Sequence, residues 1–206
     1  GYLALPASGS GAGVIVIQEW WGLNPQIKGM ADRLAGEGFV ALAPDLYHGE
    51  LAEHDEMDKA AHLMTAMPQD RAARDMLGAV DYLLGRDEVT SSKVGVIGFC
   101  MGGMLSMTLG AIGGDKIAAV TPYYGAPVGA SGTDWSNLSA PIYGHFAEVE
   151  DFFKPELVTA LEAELKTMGK DVTLEVHAGA GHAFCNGDNP LGTYDEALAE
   201  TCLAQS

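Results

Sequence analysis

The sequence predicts an α/β protein with a mostly parallel central sheet and helices on both faces. Three observations carry this. Short β-prone apolar runs alternate with stretches whose apolar residues recur at helical spacing. Several strand runs are apolar throughout, as strands buried on both faces require. The residues able to do chemistry fall just after those strands, where open parallel sheets place their sites.

Val14-Ile-Val-Ile17, after a Gly/Ser-rich lead, reads as a central strand. Ile27, Met30, Ala31 and Leu34 then follow at i, i+3, i+4, i+7. They predict a helix that stops at Gly36 or Gly38. Phe39–Ala43 is the next strand, ended by Pro44. Leu51 to Met67 is a polar-rich segment, read as a solvated helix or a lid. Asp70 is expected to cap a helix carrying Met76, Val80, Leu83 and Leu84, which closes near Gly85. A strand at Val94–Gly98 and a helix from Met101 to Ile112 follow. Ile117–Thr121 is a strand, Gly125–Ser139 a Gly/Ser/Ala-rich loop, and Ile142–Phe146 a strand after Pro141. Leu157, Leu161, Leu165 and Met168 mark a helix that stops at Gly169. Val172, Leu174 and Val176 alternate with Thr173, Glu175 and His177, which predicts a half-exposed strand near the sheet edge. A helical pattern from Tyr194 to Ala204 closes the chain.

The 206 residues are expected to form one domain, residues 1–206, with a sizeable core. Apolar residues make up 48%, yet no apolar run approaches the roughly 18 residues of a membrane span. Net charge is −17 with only 11 Lys plus Arg, which argues against nucleic-acid and anionic-membrane partners. A small-molecule substrate and a monomer or weak homodimer are expected instead. The three Cys residues, at 100, 185 and 202, form no CxxC pair, so a reducing, cytoplasmic setting fits. The chain begins without Met and ends within a helical pattern that has no stop signal. Both are compatible with clipped termini, including a truncated last helix.

Gly98-Phe-Cys-Met-Gly102 joins a strand to a helix. Strand, G-x-nucleophile-x-G, helix is the nucleophile elbow of an α/β-hydrolase, here with Cys. The turn is strained, so the residues two positions either side must be small. The helix start supplies N–H groups and a positive dipole end that favour a thiolate. His182 follows the 172–177 strand, and Glu150 and Asp151 follow the 142–146 strand. Nucleophile, acid, His is the chain order of this fold. A Cys nucleophile needs a base, and the base needs an acid to fix its tautomer. Glu19, at the mouth of the first buried strand, needs a partner there.

The motifs Gln18-Glu-Trp-Trp-Gly-Leu-Asn24, Pro44-Asp-Leu-Tyr47, Gly98-Phe-Cys-Met-Gly-Gly103, Tyr123-Tyr-Gly125, Gly144-His-Phe146 and Gly181-His-Ala-Phe184 stand in order over nearly the whole chain. Together they resemble the dienelactone hydrolase (carboxymethylenebutenolidase-like) family. The resemblance implies an α/β-hydrolase fold and hydrolysis of esters or lactones through a thioester, without cofactor or metal. It implies Cys100 as nucleophile, His182 as base, and Glu19 as the carboxylate that contacts the thiol. It further implies Met101 and Trp20 N–H groups in an oxyanion hole, and Trp21, Tyr124 and Phe152 lining the pocket. The family's acid position falls on Glu150, with Asp151 as the alternative. Two Arg that hold a substrate carboxylate in family members are replaced here by His48-Gly49 and Asn186. Neither place carries a fixed charge, so a neutral or singly charged substrate is expected.

The rival reading is a hydrolase-fold binding protein with a silent site, for which loss of Cys100 or His182 would be the sign. A thiol redox protein would need a resolving Cys near Cys100. His48, His54 and His62 lack the i, i+4 spacing of a shared metal and read as solvated. His145 is expected to pack or hydrogen-bond near the acid loop, His177 to lie on a strand surface, and Cys185 and Cys202 to pack, Cys185 being reactive if exposed. Trp135 is left as a pocket cap or a partner contact.

Overall fold

The computed structural model describes residues 1–128 and 132–206. Seven strands form one sheet in the order β1-β3-β2-β4-β5-β6-β7. They are β1 (Tyr2–Ala4), β2 (Gly11–Ile17), β3 (Val40–Ala43), β4 (Val89–Phe99), β5 (Ile117–Tyr123), β6 (Ile142–Val149) and β7 (Val172–Gly181). All neighbours pair in parallel except β1, which runs antiparallel to β3 at the edge. The helices are α1 (Pro25–Gly36), α2 (Met57–Ala66), α3 (Gln69–Leu84), α4 (Met101–Gly113), α5 (Pro155–Thr167) and α6 (Glu196–Ala204). A seven-stranded, mostly parallel sheet with helices on both faces is an α/β-hydrolase fold.

The strand period of two sorts side chains into two cores. Ile15, Ile17, Val40, Leu42, Val94 and Val96 face one side, where α2, α3, α4 and α5 pack. Val14, Val16, Ala41, Ala43, Ile97 and Phe99 face the other, where α1 and α6 pack. This two-sided burial explains why the central strands read as unbroken apolar runs.

Several expectations are corrected. Asp70 does not cap α3; Pro68 holds that position and Asp70 instead accepts from Arg74 one turn on, at 2.7 Å. The polar-rich segment holds a helix, as one of its two readings had it: α2, seated by buried Ala60 and Leu63. β6 runs to Val149 and β7 to Gly181, well beyond the apolar runs. Trp135 is 5% exposed and belongs to the core, beside a cavity of about 300 Å³ lined by Val128, Leu157 and Leu161. The rest of the predicted 125–139 loop has no helix or strand, and its residues 129–131 lie outside the described residues. His177 is half-buried, because α6 covers its face of β7. At its N-terminal end α6 is capped by Asp195, whose side chain accepts from Leu198 N–H. Among the described residues, no helix is long and apolar enough to cross a membrane.

Candidate active site

Strand register assembles the site. Ile17 pairs with Gly98, so Gln18-Glu19-Trp20 leaves the sheet beside Phe99-Cys100-Met101. Phe99 pairs with Tyr123, which sets Tyr124 beside Cys100. Val149 pairs with Gly181 after a register shift, so Glu150 and His182 emerge side by side. Glu19, Cys100, Tyr124, Glu150 and His182 are each the first or second residue past the carboxyl end of a strand, where parallel sheets expose their sites.

Cys100 sits at φ +54°, between the end of β4 and the start of α4. A non-Gly residue there is strained by about 1–3 kcal/mol and persists only when its surroundings fix it. They do. Cys100 N–H donates to Tyr123 O at 3.0 Å, and Cys100 O accepts from Gly103 N–H at 2.9 Å. A side chain at Gly98 would strike Gly102 O, and one at Gly102 would strike Ile17 O. Both glycines of the motif are therefore required by backbone-to-backbone approach.

His182 lies between Cys100 and Glu150. Its Nδ1 is 2.5 Å from Glu150 Oε2, and Cys100 is its other charged neighbour. The side chains of His182 and Glu150 are 8% and 1% exposed. Burial alone would lower the imidazole pKa, but the bonds and charges of Cys100 and Glu150 raise it to about 10. Burial opposes ionisation of Glu150, yet His182 and the N–H groups of Phe152 and Phe153 hold its carboxyl below the usual range. The structure thus separates the two acid candidates: Glu150 reaches His182, whereas Asp151 is exposed. The His182 loop is held in turn by Thr193 Oγ1, which donates to His182 O, and by Asn186 N–H on Ala183 O at 2.8 Å.

Glu19 is 1% exposed. Burial raises its pKa, against the His182 charge and two hydrogen bonds. Asn186 Nδ2 donates to its Oε2 at 2.7 Å and Tyr124 O–H to its Oε1 at 3.3 Å. The resemblance implies a Glu19–thiol contact; here the Glu19 oxygens bind Asn186 and Tyr124. Tyr124 is fully buried, with its ring 5.2 Å from that of His182. Phe152 is 56% exposed and its ring lies 5.0 Å from His182 and 6.3 Å from Trp20, at the rim. Trp21 is buried edge-on against Trp20 and His54.

Two residues that sequence reasoning left without a role belong here. The Tyr47 hydroxyl donates to Trp20 O at 3.0 Å and touches Met101 Sδ at 3.4 Å, so it pins both loops that flank Cys100. Burial and the Cys100 charge push its pKa up, which keeps it a donor. Its place in Pro44-Asp-Leu-Tyr47 was the available signal. Asn186 was read only as a missing Arg; it is fully buried and holds Glu19. His48 turns away, pairing with Asp75 at 2.7 Å on the surface. His54 lies against Trp21, with Nε2 3.4 Å from Asn24 Nδ2, and His62 is on α2.

The dienelactone hydrolase family profile matches residues 1–205. The chain belongs to the dienelactone hydrolase family. It is 42% identical to "Protein usf" of Aquifex pyrophilus over 206 residues, covering 97% of this chain and 87% of the relative. It is 36% identical to the "Putative carboxymethylenebutenolidase" of Aquifex aeolicus strain VF5, covering 90% and 81% of the two chains. Among solved structures, a dienelactone hydrolase-like promiscuous phosphotriesterase from metagenomic libraries superposes with TM-score 0.79 at 25% identity, covering 96% and 84%. This dienelactone hydrolase family member is a hydrolase, and the family points to a small ester or lactone as its substrate.

Proposed function

We propose that this chain is a thiol-dependent hydrolase of carboxylic esters or lactones, with Cys100, His182 and Glu150 as its catalytic residues. One observation carries the reading: a buried imidazole, 2.5 Å from a buried carboxylate, is the neighbour of the elbow cysteine. The Cys100 thiolate attacks the substrate carbonyl carbon, forming a C–S bond and a tetrahedral oxyanion. The N–H groups of Met101 and Trp20 stabilise that oxygen. Collapse breaks the ester C–O bond, and the leaving alkoxide takes a proton from the His182 imidazolium. Water then gives a proton to His182 and attacks the thioester carbon; the C–S bond breaks and the thiolate returns. Glu150 fixes the ring and balances its charge.

Trp21, Tyr124 and Phe152 surround the acyl group. Neither His48 nor Asn186 offers a charge to a substrate carboxylate, since one faces solvent and the other Glu19. A neutral or singly charged substrate is therefore the preferred class. The whole chain acts as one catalytic domain, alone or as a weak homodimer, in a reducing cytoplasm.

The test is hydrolysis of p-nitrophenyl acetate by wild type and Cys100→Ala, with mass spectrometry for an acyl adduct. Loss of turnover with Cys100, and an adduct on that residue, are expected. Equal rates and no adduct would favour a silent-site binding protein. Far better turnover of dianionic 4-carboxymethylenebutenolide than of neutral esters would overturn the substrate assignment alone.

A further inference from the structure

A second cluster of reactive side chains lies on the α6 face of the sheet edge, apart from the residues assigned to catalysis. His145 on β6 and His177 on β7 face each other, with Nδ1 and Nε2 3.1 Å apart. Cys202 on α6 places its Sγ 3.5 Å from the same His177 Nε2. One nitrogen of each imidazole and the sulfur all lie within 4.8 Å of one another. His145 and Cys202 are fully buried and His177 is half-buried. Glu175, two residues before His177 on the same face of β7, holds Oε2 3.9 Å from His145 Nδ1. Tyr143 O–H donates to that oxygen at 2.8 Å, which orients the carboxylate.

Hydrogen bonding within the cluster is incomplete. Whichever tautomer is present, the facing nitrogens share one proton, and His177 Nε2 is the common partner of both Nδ1 and Sγ. The remaining nitrogen of His145, Nε2, is buried without any partner. The lone pairs of His145 Nδ1, His177 Nε2 and Cys202 Sγ thus converge on one space, where a cation can take all three.

We propose that His145, His177 and Cys202, with Glu175 as fourth ligand, bind one zinc ion. Bond lengths of about 2.0–2.3 Å place the ligand atoms of a tetrahedral site about 3.3–3.7 Å apart; the His145–His177 and His177–Cys202 pairs stand at 3.1 and 3.5 Å, and the exposed Glu175 carboxylate, 3.9 Å from His145 Nδ1, swings in to complete the set. Two imidazoles and a thiolate suit zinc and exclude magnesium and calcium, which take oxygen ligands. On binding, the Cys202 thiol releases its proton to solvent and forms a Zn–S bond, with no change of oxidation state. A site closed by four protein ligands is structural, and it ties α6 to β6 and β7.

The experiment uses Cys100→Ala protein, which removes the elbow thiol as a competing ligand. Cobalt(II) serves as the spectroscopic stand-in. One equivalent is expected to give a thiolate-to-cobalt charge-transfer band and intense tetrahedral d–d bands, and one equivalent of Zn²⁺ to abolish them. Adding Cys202→Ser removes the charge-transfer band. His177→Gln weakens Zn²⁺ binding at least about tenfold in chelator competition, and reports on the site even where Cys202→Ser fails to fold. No cobalt–thiolate band, or a band that survives loss of Cys202, overturns the proposal.

Discussion

Gly125 makes the sharpest mechanical prediction. It follows Tyr124 and lies against the elbow. A Cβ there would fall 1.8 Å from Cys100 O, 2.7 Å from Cys100 C and 3.2 Å from Met104 N. Real Cβ contacts essentially never come under 3.0 Å, so Gly125→Ala must separate the two backbones by about 3.0 − 1.8 = 1.2 Å. No rotamer change relieves this, because every atom met is backbone. Cys100 O already accepts from Gly103 and Met104 N–H, at 2.9 and 3.3 Å, so its displacement loosens the first turn of α4. Overpacking costs about 1–3 kcal/mol and each weakened hydrogen bond about 1 kcal/mol, giving roughly 2–4 kcal/mol in all. That corresponds to roughly 5–15 °C in Tm for a chain of this size. A shift of about 1 Å in the nucleophile should also lower kcat/KM about 10²-fold. The assay pairs thermal unfolding with p-nitrophenyl acetate hydrolysis. Gly29→Ala is the comparator: it is exposed on α1, its Cβ meets nothing within 4 Å, and it should gain about 0.5–1 kcal/mol. If Gly125→Ala matches wild type within 1 °C or so and about twofold in rate, the close approach does not constrain the elbow.

Glu150→Gln keeps shape but removes the charge 2.5 Å from His182, and should lower kcat roughly 10²–10⁴-fold; wild-type turnover would exclude Glu150 as the triad acid. Asn186→Ala strips the 2.7 Å donor from buried Glu19 and should cost about 1–3 kcal/mol in urea unfolding, a figure near zero refuting the partnership. The His182 pKa is raised from 6.5 to about 10, so its stabilising contribution is full below about pH 6.5 and is lost as pH rises through about 10. The unfolding free-energy gap between wild type and His182→Gln should therefore narrow from pH 6 to pH 10, and a widening gap would contradict the assignment.

The elbow and the chemistry at the strand ends were legible because local rules act there: two glycines two positions from Cys100, and apolar strands long enough to show their period. The choice between Glu150 and Asp151 was not, since it depends on β6 continuing through polar Glu148 and on a register shift against β7. β1 is three residues long, too short to show a pattern, and is recruited only by pairing with β3. His177 read as a surface residue because alternation along β7 says nothing of α6 lying over that face. The tie between Glu19 and Asn186 spans 167 residues, and no local signal marks it.

The interlocked backbones around Cys100 also bear on how such a hydrolase changes over generations. Gly98, Gly102 and Gly125 leave no room for a methyl group, so the path of the main chain cannot drift by small steps. Position 100 is different, because its side chain points away from those contacts toward His182. Exchange of sulfur for oxygen there replaces one atom and leaves the turn as it is. Lineages of this architecture can thus trade a thiol nucleophile for a hydroxyl in a single substitution, while the scaffold that presents it stays frozen.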